Sequence, residues 1–158
     1  MFLDTDTFRT VVANAPLVSI DLLVSNSDGD ILLGQRLNRP AQGYWFVPGG
    51  RIYKDESLDQ AFQRITESEL GRLFVRQNCG LLGVYEHFYQ DSVFGQNGNA
   101  PSTHYVAIAH QVKLEADEAL TPPHDQHRLY RWWKPQDILL SDQVHSNSKA
   151  YLDAYTSI

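Results

Sequence analysis

The residues of this chain best suited to chemistry stand in one run. From Gly50 there are five residues to Glu56, seven more to Arg64, and then Glu69 and Gly71. Residues 57–70 read as an amphipathic helix. Leu58, Ala61, Phe62 and Ile65 share an apolar stripe, Ser57 is a capping residue and Gly71 is placed to end the helix. At about 100° per residue, Glu69 lies over Ile65 and Phe62 on that stripe. A carboxylate there is costly: the last turn of a helix disfavours negative charge, and a buried anion persists only when paired or bound to metal. Two readings follow from the residues alone, a partly exposed Glu69 paired with a neighbouring arginine, or a hard-cation site. Gly49-Gly50 can offer a backbone carbonyl oxygen, and magnesium accepts carboxylate, carbonyl and phosphate oxygens together, which favours the cation. Glu56 and Arg64 read as a structural ion pair bracing the loop on the helix.

The elements that must position this run are readable around it. Phe8, Val11 and Val12 follow the Asp4-Thr5-Asp6 cluster at helical spacing, predicting a short helix that ends before Pro16. Residues 17–24 and 31–33 read as strands joined through Asn26-Ser27-Asp28-Gly29-Asp30, a hairpin signal. Tyr44-Trp45-Phe46-Val47 predicts a short strand entering a tight turn at Gly49-Gly50. Further strands are expected over 81–89, 105–114 and 129–133, then a helix begun by Pro135 and a weaker one over 148–155. Residues 90–102, with Gly95, Gly98 and Pro101, form the one loop-like stretch and are expected to be mobile. Strands interleaved with helices predict an α/β fold, a mixed sheet covered on both faces.

Composition narrows the class. The 158 residues show no composition break, fit one domain spanning 1–158, and with 42% hydrophobic and 20% charged residues suit a packed globular fold. The formal net charge of -6 repels phosphate-bearing ligands, so local cations or a metal must hold them, and broad nucleic-acid binding is disfavoured. Met1-Phe2-Leu3-Asp4 begins no basic segment followed by an apolar run, and no stretch approaches bilayer-spanning length, so a cytoplasmic protein without membrane partners is expected. Cys79 is the only cysteine, which excludes an internal disulfide, and it reads as a small core residue.

The Gly50–Gly71 run resembles the Nudix box, a glycine-loop-helix unit that holds divalent metal against a diphosphate. Its common form has glutamates at two further positions, here Ile65 and Ser68. Longer motifs resemble the GDP-mannose mannosyl hydrolases of that superfamily, which share this departure. They are Pro16-Leu17-Val18-Ser19 before Asp21, Leu33-Gly34-Gln35-Arg36, residues 38–51, His87-Phe88-Tyr89, Thr103-His104-Tyr105, Gln126-His127 with Tyr130-Arg131-Trp132, and residues 144–148. The resemblance implies a Nudix fold, an α/β/α sandwich, and magnesium held by the Gly49 carbonyl, Glu69, Gln126 and the substrate diphosphate. It implies hydrolysis of a GDP-sugar, GDP-mannose or also GDP-glucose, at the anomeric carbon with inversion, and a homodimer. His127 would be the general base, a role its ordinary pKa of about 6.5 suits. Arg36, Arg51 and Tyr105 would stabilise departing GDP, with Asp21 and His87 near the sugar.

Plainer readings stand beside these. Asp21, in an apolar strand, could cap a backbone group, although burying it unpaired would be expensive. His104, His110, His124 and His145 read as surface or core histidines, and Trp132 and Trp133 as packing residues. Phe2, Leu3 and Phe8 match the segment that the family places near guanine, across a dimer interface, or else staple the first helix to the sheet. Two other functions stay open: a Nudix pyrophosphatase cutting between phosphates, and a non-catalytic nucleotide-sugar sensor.

Overall fold

Strand β1 (Leu17–Ser25) organises the molecule, whose computed structural model describes residues 2–120, 122 and 128–156. Along its full length β1 pairs in parallel with β6 (Thr103–Lys113), from Leu17↔Tyr105 to Ser25↔Lys113. Its other edge is divided. Ser19, Ile20 and Asp21 pair antiparallel with β4 (Gly49–Arg51), while β2 (Ile31–Arg36) meets β1 at Ser25↔Ile31. Beyond that hairpin β2 turns to β7 (Arg128–Trp133), pairing from Ile31↔Trp133 to Arg36↔Arg128, and to β3 (Trp45–Phe46). β5 (Gly80–Tyr89) lies antiparallel on the outer side of β6. The mixed sheet therefore splays where β1 and β2 part.

The hairpin is set by Asn26, whose side-chain oxygen accepts from the backbone N–H groups of Asp28 at 3.0 Å and Asp30 at 2.9 Å. Helix α1 (Thr5–Asn14) starts at Asp4, which accepts from Thr7 N–H. Helix α2 (Leu58–Leu70) opens with a reciprocal Ser57–Gln60 capping box and closes on Gly71 at φ 72°, a left-handed conformation that suits glycine.

Alternation along β1 feeds two cores. Ile20, Leu22 and Val24 pack with Ala61, Phe62, Ile65 and Leu70 of α2. Leu23 faces the other way, joining Ile31, Leu33 and Trp133 under Ile138 of α3 (Pro135–Leu140) and Tyr151 and Leu152 of α5 (Tyr151–Thr156). Each large apolar side chain removed from water in this way contributes about 1.5–3 kcal/mol. Trp133 is buried and Trp132 turns outward, as strand alternation requires. Cys79 packs half-buried against the α2-side core.

Two expectations change. Gly49-Gly50 is not a turn but strand β4, and the glycines serve close approach on both sides. A Cβ at Gly49 would lie 2.6 Å from the Ile20 carbonyl oxygen, and one at Gly50 would lie 3.1 Å from Ile65 Cγ1. The last helical stretch starts earlier than expected, as α4 (Ser146–Lys149), followed through Ala150 by α5. Residues 90–102 form the expected loop. Phe94 packs on Phe8 with ring centroids 5.9 Å apart, and Arg39 reaches Gln96 at 2.8 Å.

Candidate active site

A cavity of about 450 Å³ opens where β1 and β2 diverge, and elements from all over the chain wall it. On the α2 side, Gly50 lets the helix approach β4 closely. That contact at Ile65 brings Glu69, one turn further on, to the cavity beside Gly49 and Ser68. Glu69 is half-buried and accepts a 2.9 Å hydrogen bond from the Tyr130 hydroxyl on β7. Ile65 is in the core and Ser68 is exposed, so neither adds charge to this wall.

The donor chemistry fits a hard divalent cation, with a carboxylate and a backbone carbonyl on neighbouring elements. Among the described residues no group of three or more His, Cys, Asp or Glu side chains could hold a metal. An ion here would complete its coordination with water and ligand oxygens, as magnesium commonly does.

The loop between β4 and α2 is braced by the expected ion pair. Arg64 grips Glu56 with two 2.8 Å bonds and donates a third, also 2.8 Å, to the Arg51 carbonyl. Glu56 also accepts from Tyr53 N–H at 2.7 Å, and the Arg64 hydrogen bonds hold its carboxyl below the usual glutamate range. The brace leaves the Arg51 guanidinium 4.9 Å from the Phe8 ring and 5.1 Å from the Tyr53 ring, at the cavity.

Opposite, Arg36 stacks 4.4 Å over Phe46 and donates to the Pro40 carbonyl at 3.1 Å. Arg39, next to Pro40, also lines the cavity. Arg39 is itself paired with Asp91 at 3.4 Å, so Arg36 and Arg51 are the main cations of the cleft and make a local field suited to an anion in an acidic protein.

The deepest wall carries Asp21 and His87. The Tyr151 hydroxyl donates to Asp21 Oδ2 at 2.5 Å and lies 3.1 Å from His87 Nε2. Burial raises the Asp21 pKa above the ordinary aspartate value, opposed by the Tyr151 hydrogen bond and the Arg36 charge. For His87, burial and then Arg36 lower the pKa to about 4, so the ring is neutral at neutral pH. Tyr105 also faces the cavity; burial raises its pKa, with Arg36 and Arg51 opposing.

Seven residues singled out from the sequence, Asp21, Arg36, Gly49, Arg51, Glu69, His87 and Tyr105, thus line one cavity. Gln126, His127 and His124 lie outside the described residues. Phe2, Leu3 and Phe8 are not in the cavity wall: Phe8 packs with Arg51 and Phe94, and Phe2, 94% exposed, has its ring 6.4 Å from that of Tyr53. His145 stacks on Phe46 at 4.8 Å, His104 on Phe88 at 4.4 Å, and His110 is buried beside Phe62. Sequence reasoning assigned no role to Tyr130, Ser148 or Tyr151. Their contacts span long separations, and only the motif-like runs around Tyr130 and Ser148 hinted at them.

Comparison with known proteins agrees with this geometry. The family model described as NUDIX domain matches residues 15–155. A relative from Haloferax volcanii, named low-salt glycan biosynthesis protein Agl8, is 38% identical over 149 residues, covering 94% of this chain and 88% of its own. The MutT Nudix hydrolase structure from Burkholderia pseudomallei superposes with TM-score 0.67 at 27% identity, covering 89% of this chain and 98% of that one. The MutT protein from Methanosarcina mazei reaches TM-score 0.68 at 20% identity, with 91% and 96% covered. With the Gly50–Gly71 run forming loop and helix at one wall of the cavity, this chain belongs to the Nudix hydrolase family.

Proposed function

We propose that the chain is a magnesium-dependent hydrolase of GDP-sugars, cutting GDP-mannose, or also GDP-glucose, into GDP and free hexose by attack of water at the anomeric carbon with inversion. The observation that carries this reading is the charge balance of the cavity. The box helix presents one carboxylate, Glu69, with apolar Ile65 and neutral Ser68 at the other glutamate positions, while Arg36 and Arg51 line the same space beside Arg39, which is paired with Asp91. Such a site has little capacity for a cluster of metals around an attacked phosphorus, but it suits a diphosphate that departs intact. The name of the Haloferax volcanii relative, a glycan biosynthesis protein, agrees with a sugar-nucleotide substrate.

Displacement at an anomeric carbon builds positive charge on the sugar and negative charge on the leaving diphosphate. In this reading Arg36 and Arg51, which line the cavity, receive the departing charge, and Asp21 with neutral His87 faces the sugar. His127 takes the proton of the attacking water. That water's oxygen bonds to the anomeric carbon as the bond from the carbon to the diphosphate oxygen breaks. The Gly49 carbonyl, Glu69 and Gln126 would hold magnesium, which would supply positive charge to the diphosphate when bound. In this reading the protein works in the cytoplasm as a homodimer, with Phe2, Leu3 and Phe8 near the guanine.

Incubation with GDP-mannose and magnesium in isotopically heavy-oxygen water tests the bond that breaks. The heavy oxygen is expected in the hexose and not in GDP, with the hexose first appearing in the inverted anomeric form. Label in a phosphate, or release of GMP with a sugar phosphate, overturns the reading in favour of a pyrophosphatase; no turnover favours a sensor.

A further inference from the structure

The hydroxyl of Tyr151 connects the two polar side chains of the deep wall, and a count of protons gives the connection a direction. A phenol has one proton and can also accept. In the shorter contact, 2.5 Å, the hydroxyl donates to Asp21 Oδ2, so the phenol proton goes there. The remaining contact, 3.1 Å to His87 Nε2, is then satisfied when that nitrogen carries hydrogen and donates to the phenol oxygen. Neutral His87 has a single ring proton, so fixing it on Nε2 leaves Nδ1 as an acceptor.

The framework around this chain of bonds is closely packed. Tyr151 is fully buried, and its ring meets that of Tyr85 edge-on, centroids 4.6 Å apart. Three residues earlier, buried Ser148 accepts at 3.0 Å from the backbone N–H of Val47, just before Pro48-Gly49. The C-terminal helices thus reach two walls of the cavity from behind.

We infer that Tyr151 is a positioning residue: its hydroxyl orients the Asp21 carboxylate and fixes His87 as the Nε2–H tautomer, in the order His87 Nε2–H to Tyr151 O–H to Asp21. The inference rests on the reading that this wall meets the substrate. It adds a residue that would act without touching substrate itself. Burial of His87, which keeps the ring neutral, agrees with it.

The test begins with nitrogen magnetic resonance of the ligand-free protein, its histidines carrying isotopically heavy nitrogen. His87 is expected to show a protonated Nε2 and a bare Nδ1. Tyr151→Phe keeps the buried ring but removes the hydroxyl, and should turn this single tautomer into a mixture. With GDP-mannose, kcat should fall about tenfold or more, as when an outer partner of an active-site group is lost, while KM changes little. Tyr85→Phe, which removes a hydroxyl outside the chain of bonds, should leave tautomer and kcat as they were. An Nδ1–H tautomer in the parent protein overturns the inference, as does a Tyr151→Phe protein with unaltered tautomer or kcat. Should Tyr151→Phe not fold, the parent spectrum decides. That spectrum needs neither substrate nor metal, so it answers separately from the choice of GDP-sugar.

Discussion

Glu69 carries two demands at once, a hydrogen bond from Tyr130 and, in the proposed reaction, a metal ion. Glu69→Gln keeps the shape and removes the charge. It should raise the magnesium concentration needed for half-maximal turnover and depress kcat severely. Normal turnover at limiting magnesium would remove Glu69 from the metal site. His127→Gln should slow hydrolysis by about a hundredfold or more, the range for a lost general base, with magnesium affinity little changed in a binding titration. Buried histidines make a separate prediction about stability. The pKa of His87 is lowered to about 4, and those of His110 and His145 are also lowered by burial. The unfolded chain, with histidines near 6.5, therefore binds more protons than the folded one as pH falls below that value. The contribution of His87 is fully present above about pH 6.5 and is lost as pH falls through about 4. Thermal unfolding followed across that window should show the midpoint falling with pH, and His87→Asn should flatten the decline.

Among the elements, β4 is the most constrained because it is wedged between β1 and α2. In Gly49→Ala the new methyl group would meet the Ile20 backbone carbonyl oxygen at 2.6 Å and the Asp21 side-chain oxygen Oδ1 at 2.7 Å. In Gly50→Ala it meets the Ile65 side chain at 3.1 Å, which can yield by a few tenths of an ångström. Gly49→Ala should therefore cost about 1–3 kcal/mol in denaturant unfolding, and Gly50→Ala clearly less. Equal losses would mean that β4 shifts freely. This strand also marks where sequence reading fell short. Ser57 and Gly71 announce α2 because capping is local chemistry, the turn residues 26–30 announce the end of β1, and β-branched, aromatic and aliphatic residues announce β6. Paired glycines announce only that no side chain fits. Whether the reason is a turn or a packed strand depends on residues far along the chain, here Ile20 and Ile65. The site divides in the same way. Asp21, Arg36, Glu69 and His87 stand in recognisable motifs, whereas Tyr151 gives no local sign of chemistry. Its partners, Asp21 and His87, lie 130 and 64 residues away.

The first residues bear on the whole molecule. Phe8 packs with Phe94 and Arg51, and Phe2 stands exposed beside Tyr53. Removing residues 1–8 should raise KM for GDP-mannose or abolish a dimer measured by light scattering. A truncated protein that is still dimeric, with unchanged KM, would leave these residues to helix packing. The contact between Tyr151 and Asp21, 130 residues apart, also bears on how the protein is made. During translation the wall built on β4 and α2 is synthesised well before the deep wall can close, because Tyr151 follows Asp21 by 130 residues. A nascent chain stalled before that residue would hold the Nudix loop and helix without a finished pocket. Activity is therefore expected to appear in one step once Tyr151 has emerged rather than to build up with chain length.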